Sequence, residues 1–257
     1  MTQTAAETEA GGAVQPSRRW LLQLRLGATL SAAVLAPMLL VWYPRPLFEA
    51  AGTARLPVFL AVVAVLLGPL VIFVRNRPGK VVTKPALRSI TVAQLIAVAG
   101  CALALYVQRP VYLVFNVDRF DLVLAKDIAP QDLAKAKGEF MRRPLSSPEY
   151  AAVVQPADTR EGQRILDIAL GGGKDLQAYP QHFVPYGQQA SNALKRAKPL
   201  DTIRNKDPDA VQGYLASSGR AEVSIRVLPL RAKKRDGVVL LDAQSGMPLG
   251  VLLVDPW

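Results

Sequence analysis

The chain has 257 residues, about half of them apolar, a formal net charge of +11, one cysteine and one histidine. A single Cys and a single His exclude an intrachain disulfide framework and leave almost no room for a Cys/His metal site. Ten bases against three acids precede Gln108, so most of the positive excess flanks apolar segments, where bases orient helices in a bilayer; that placement argues against nucleic acid as the partner.

Residues 1–17 are Ala-, Thr-, Glu- and Gly-rich without periodicity and read as a disordered cytoplasmic tail. Residues 18–108 read as a three-helix transmembrane module. Its first apolar run, about 20–42, is long enough to span a bilayer, with Trp20 at one interface and Trp42 and Tyr43 at the other. Arg25 lies shallow enough to reach the headgroups, and Pro37 predicts a kink. Ser17-Arg18-Arg19 loosely resembles a twin-arginine export signal, but the run is long for a cleaved signal and further spans follow, so a retained anchor is expected. Residues 44–56 read as a short loop. The second span, about 56–74, contains Gly68-Pro69, which predicts a bend or a close helix contact. A turn at Pro78-Gly79-Lys80 leads to the third span, about 90–107, whose Cys101 reads as a small buried side chain. There Ala93, Ala97, Gly100 and Ala104 recur at spacings of three and four and fall near one face. The loop at 75–88 carries five bases and the tail adds Arg18 and Arg19, against two in 44–56. The excess predicts a cytoplasmic N-terminus and places everything after the third span across the membrane, in the periplasm of a bacterium.

The stretch from Arg109 to Val123 is where membrane pattern gives way to soluble pattern. It begins at Pro110, is rich in Val, Tyr, Phe and Leu, and predicts an extended strand or bent pair over 112–125. Residues 109–257 then read as one α+β domain with an antiparallel sheet and helices on one face. Helices are expected at 130–140, 158–170 (Asp158 as cap), 188–198 and 207–217, and a Pro-broken stretch at 144–156. Gly171 to Gly187 reads as loop, residues 222–230 as a strand, and 237–254 as a β-hairpin.

No catalytic, cofactor-binding or metal-binding residues emerge. Gly171-Gly172-Gly173-Lys174 is followed by Asp175 and lacks the feeding strand of a phosphate loop, so a flexible loop is expected. His182 has no nucleophile motif beside it. Glu139, Glu149, Asp158, Glu161 and Asp167 read as solvated carboxylates rather than a glycosidase pair. The run 231–235 reads as a solvated basic loop, with anionic headgroups or an acidic protein as the sharper alternative. Asp118, Arg119 and Asp121 read as a salt-linked strand end. The chain is expected not to be an enzyme and to bind no small-molecule substrate.

Trp42-Tyr43-Pro44 closing the first span, Gly68-Pro69 in the second, Pro78-Gly79-Lys80 in the loop and Arg109-Pro110 leading into Val111-Tyr112-Leu113-Val114-Phe115 after the third occur in an order and spacing that resemble the type IV pilin accessory proteins. These are small inner-membrane proteins associated with particular major pilins. Residues 141–219 carry no part of the resemblance. It implies a non-enzymatic factor that assists or regulates pilus assembly, with a type IV major pilin, inner-membrane assembly proteins and membrane lipid as partners. The alternative class is a membrane-anchored periplasmic sensor or ligand-binding subunit. On the pilin reading, the contact surfaces are the face of Ala93, Ala97, Gly100 and Ala104, and the junction residues Tyr112, Phe115, Asp118, Arg119 and Phe120.

Overall fold

Pro69 sits inside the second apolar helix, so the carbonyl of Val65, one turn earlier, has no N–H to accept. In the computed structural model, which describes residues 16–75 and 84–257, the amide of Gln94 fills that vacancy. Its Nε2 donates to Ala64 O at 3.3 Å and Val65 O at 3.4 Å. A Cβ on Gly68 would lie 2.6 Å from the same nitrogen, and one on Gly27 3.0 Å away, so both glycines make room for the amide. The helices involved are α1 (Pro16–Trp42), α3 (Arg55–Arg75) and α4 (Lys84–Gln108); a short α2 (Arg45–Ala51) lies between the first two. The chain forms two compact units, and Gln94 with its partners lies in the first, Met1–Pro37 with Leu56–Ala104.

Among the described residues two helices are long and apolar enough to cross a membrane, Leu24–Trp42 and Arg88–Gln108. The expectation of three transmembrane helices is corrected here. The second apolar helix qualifies only jointly with α2, across a bend of 98°. Gly52, at φ 64°, ends α2 with a left-handed cap, and the chain restarts as α3 after two more residues. The expected loop 44–56 is therefore mostly helix, because Pro44-Arg45-Pro46 starts a first turn in which missing N–H groups cost nothing. Pro16 and Ser17 of the expected tail already belong to α1; residues 1–15 and the motif Pro78, Gly79 and Lys80 lie outside the described residues.

The second unit comprises Met38–Arg55 and Leu105–Trp257. Its strands are β1 (Pro110–Asn116), β2 (Arg119–Leu124), β3 (Glu149–Val153), β4 (Phe183–Pro185), β5 (Lys198–Pro199), β6 (Ile225–Arg231), β7 (Gly237–Asp242) and β8 (Pro248–Leu252). They form one sheet in the order β4-β3-β1-β2-β6-β7-β8, with β5 beside β6. The helices are α5 (Pro130–Leu133), α6 (Thr159–Leu170), α7 (Ala190–Arg196), α8 (Asp201–Arg204) and α9 (Pro208–Ser218). The sheet is mixed, not antiparallel as expected: β1 runs parallel to β3, and β2 to β6. Side-chain alternation reports which face a residue takes but not strand direction, and long connections permit parallel pairing. Three strands fall where none was expected, one of them the two-residue β5 at the end of the expected helix 188–198. β3 hides between Pro148 and Pro156 because Ala151 and Ala152 are both buried, which erases period-2 alternation, and β4 lies in the expected loop 171–187. The expected helix 130–140 stops at Leu133, before Gly138 takes φ 58°. Helix α6 forms as expected, with Asp158 Oδ1 accepting from the Arg160 N–H at 2.9 Å. Strand β1 is buried on both faces and carries the core shared with β2 and β3; a second core lies between β6, β7, α8 and α9.

Candidate functional site

An α-helix leaves its last four carbonyls without intrahelical partners. At the end of α4 side chains take three of them: Tyr43 Oη donates to Leu105 O at 3.1 Å, Arg109 Nη1 to Tyr106 O at 2.6 Å, and Thr53 Oγ1 to Gln108 O at 3.3 Å. Arg109 is only 1% exposed. Its Nε and Nη2 reach Pro144 O at 3.4 and 3.3 Å, and its guanidinium lies 4.0 Å from the Tyr106 ring centre and 5.5 Å from that of Trp42. Trp42 Nε1 donates to Leu145 O at 2.6 Å. This collar lies within the second unit and is built from Trp42, Tyr43, Arg109 and their carbonyls, so part of the motif singled out in the sequence is a helix-end cap. The buried cation is satisfied by carbonyl dipoles, aromatic faces and the negative end of α4 rather than by a carboxylate. Burial holds the Arg109 guanidinium below its ordinary value and pushes the Tyr43 phenol up to about 12.

The second feature is the β1–β2 tip. The hairpin closes with the pair Asn116 and Arg119, and the Asp118 N–H donates to Asn116 O at 2.7 Å around Val117 at φ 61°. That is a γ-turn of the rare, strained hand, built on a β-branched residue, at a cost on the order of 1–3 kcal/mol. The side chains behind it hold the turn. Asp121 takes Arg119 Nε at 3.4 Å and Asn116 Nδ2 at 3.4 Å, and Asn116 Nδ2 also reaches Gln177 Oε1 at 3.3 Å. Burial pushes the Asp121 carboxyl above the usual range, against the opposing pull of Arg119 and Asn116. Between the tip and α6 lies a cleft of about 550 Å³, lined by Val117, Asp118, Arg119, Pro156, Ile165 and Leu166 among others. Val117 is 59% and Leu166 50% exposed. The cleft thus joins an apolar strip to a charged rim.

The expected junction surface needs correction. Asp118 is exposed and Arg119 half-buried at the tip, but Tyr112, Phe115 and Phe120 are buried. Tyr112 packs on Phe140 and Phe183, and Phe115 and Phe120 pack on Tyr186, so these rings are core because β1 and β2 are central strands. On α4, Ala93 and Gly100 are exposed and Ala97 and Ala104 half-buried, while the buried face runs through Gln94, Val98 and Cys101, one residue further on. Nothing lies within 4 Å of a Cβ built on Gly100, so the small-residue face is not the first unit's own seam at that position. His182 pairs with Glu161 at 3.3 Å, and Lys174 lies 3.9 Å from Asp132. Sequence reasoning missed Gln94, Thr53, Gln177 and the strain at Val117. Gln94 had a legible signal, a lone amide inside an apolar run.

No family model matches the chain, and no solved structure does. It is similar to two proteins of Dichelobacter nodosus: a fimbrial assembly protein of serogroup I, 28% identical over 177 residues, and one of serogroup E1, 27% identical over 177 residues; each match covers 68% of this chain and 68% of the relative. Both names agree with the resemblance to pilus-associated proteins read from the first half of the sequence.

Proposed function

We propose that this protein is a non-enzymatic accessory factor for type IV pilus biogenesis, acting on a particular pilin at the bacterial inner membrane. The observation that carries the reading is the similarity over 177 residues to two proteins named for fimbrial assembly. Two helices long and apolar enough to cross a bilayer fit a membrane location. In this reading the chain is multi-pass, its N-terminus is cytoplasmic and its mixed-sheet unit is periplasmic. A pilin awaiting assembly offers an apolar helix in the bilayer and a head outside it. The open face around Ala97 and Gly100 receives the helix, and the cleft beside Val117, Asp118 and Arg119 receives a segment of the head. Inner-membrane assembly proteins are further partners, and the cleft binds without turning over a substrate.

The test is deletion of the gene followed by comparison of surface pili, total pilin and twitching motility. Surface pili should fall while the pilin polypeptide is still made; normal piliation and normal twitching would sink the reading. Photo-crosslinkers placed at Asp118 and at Ala97 should each trap pilin, whereas one at Val223, exposed in the turn two residues before β6, should not.

A further inference from the structure

We infer that the rim of the second unit around the ends of α1 and α4 is a binding surface for anionic phospholipid headgroups. This goes beyond the pilus reading and rests only on those two helices crossing a bilayer.

Two loops form the rim, and each is bonded to the ends of the apolar helices or to the chain between them. The first runs from Met141 to Leu145. Its carbonyls are taken from inside: Arg142 O by Tyr112 Oη at 3.0 Å, Pro144 O by Arg109, and Leu145 O by the Trp42 indole at 2.6 Å. With the backbone held inward, the side chains of Met141 and Leu145 are turned out, 57% and 68% exposed. The bond from Trp42, last residue of α1, fixes Leu145 at the level where the apolar run ends. Large apolar side chains held outward beside a helix end suit an interface rather than water.

The second loop carries the basic run. Lys234 N and Arg235 N both donate to Ala50 O, at 3.0 and 3.3 Å, which anchors the run to α2. Lys233 and Arg235 are neutralised by Asp127 and Glu49. Arg45, Lys126, Arg142 and Lys234 are exposed and make no ion pair among the described residues. Lys126 Nζ reaches Gln108 Oε1 at 3.4 Å, on the last residue of α4. Bases without an ion pair and outward apolar side chains thus share one rim, the pattern that a phosphodiester headgroup above acyl chains complements.

The experiment uses full-length protein in lipid nanodiscs. In a Cys101→Ala background, spin labels are placed at Leu145→Cys and, as control, at Val223→Cys, which lies beyond the far end of β6 and is 82% exposed. The label at 145 should contact oxygen in the bilayer and that at 223 only aqueous nickel. Equal aqueous exposure at both would overturn the inference and leave the rim to a soluble acidic partner. Separately, selectivity for spin-labelled phosphatidylglycerol over phosphatidylcholine is compared with the triple variant Lys126→Gln, Arg142→Gln, Lys234→Gln, whose fold is checked by thermal unfolding. A base near an anionic surface contributes about five-fold in association, so removing three should lower the preference by roughly a hundred-fold at most and at least about five-fold. An unchanged preference in a folded triple variant would overturn the inference. Loss of the wild-type preference in inorganic phosphate, but not in chloride of matched ionic strength, would also overturn it, by showing a free-phosphate site.

Discussion

At the scale of single residues, Arg109 joins the end of α4 to the loop at Pro144 through three hydrogen bonds and two ring contacts that a shorter side chain cannot reproduce. Arg109→Ala leaves Tyr106 O and Pro144 O without a donor and should cost roughly 3 kcal/mol, the order expected for two orphaned buried acceptors. Arg109→Lys keeps the charge but not the planar fork and should recover less than half of that. Thermal unfolding of the full-length protein in detergent reads both. Val117→Gly removes the β-branched side chain from a positive φ and should stabilise the unit by about 1 kcal/mol while weakening pilin crosslinking at the tip. Asp121 supplies a pH dependence. Its folded-state carboxyl is raised above the unfolded value, so the folded state binds more protons there. Stability from this group is fully present below the unfolded value and is lost as pH rises through the raised folded one. Denaturant midpoints measured upward from about pH 4 should therefore fall less in Asp121→Asn than in the wild type. An identical slope in the two proteins would remove Asp121 as the cause.

At the scale of elements, the two glycines of the apolar helices separate by what surrounds them. Gly68→Leu drives a side chain into the Gln94 amide and should lower membrane abundance sharply. Gly100→Leu meets open space, so the protein should accumulate normally while piliation falls. Western blotting and pilus shearing on the two strains distinguish them; loss of the Gly100→Leu protein itself would return that face to internal packing. Sequence pattern located the long apolar helices of this region because apolar run length is a local signal. It also carried the β1–β2 hairpin, α6, and the β7–β8 hairpin with its Gly246 at φ 70°, each marked by residues close together in the chain. It failed at β3, whose partner β1 lies far away in sequence, and at strand direction, which alternation does not encode. It failed too at Tyr112, Phe115 and Phe120. A strand that begins in a polar-apolar stretch looks half-exposed until neighbours on both sides bury it.

At the scale of the whole molecule, the charge count predicts an opposite location for the two ends of the membrane module. A reporter active only in the periplasm should be active after Trp257 and silent after Lys80, and the reverse pattern would overturn the count. The division into units makes a further prediction. A soluble fragment of residues 109–257 lacks Trp42, Tyr43, Thr53 and α2, which belong to the same folded body. It should show a broad, weakly cooperative unfolding transition, and a sharp one would show that those residues are dispensable. Membership of Met38–Arg55 in that body also sets a timetable. Glu49 leaves the ribosome 186 residues ahead of its ion-pair partner Arg235, and Ala50 waits as long for the backbone of the basic loop. Contacts so distant along the chain form late, after the nearer hairpins. The short helix α2 therefore waits for this part of its packing until the basic loop has been made. A ribosome stalled before residue 233 would hold a chain in which Glu49 and Ala50 still wait for the partners that fasten α2 to the basic loop.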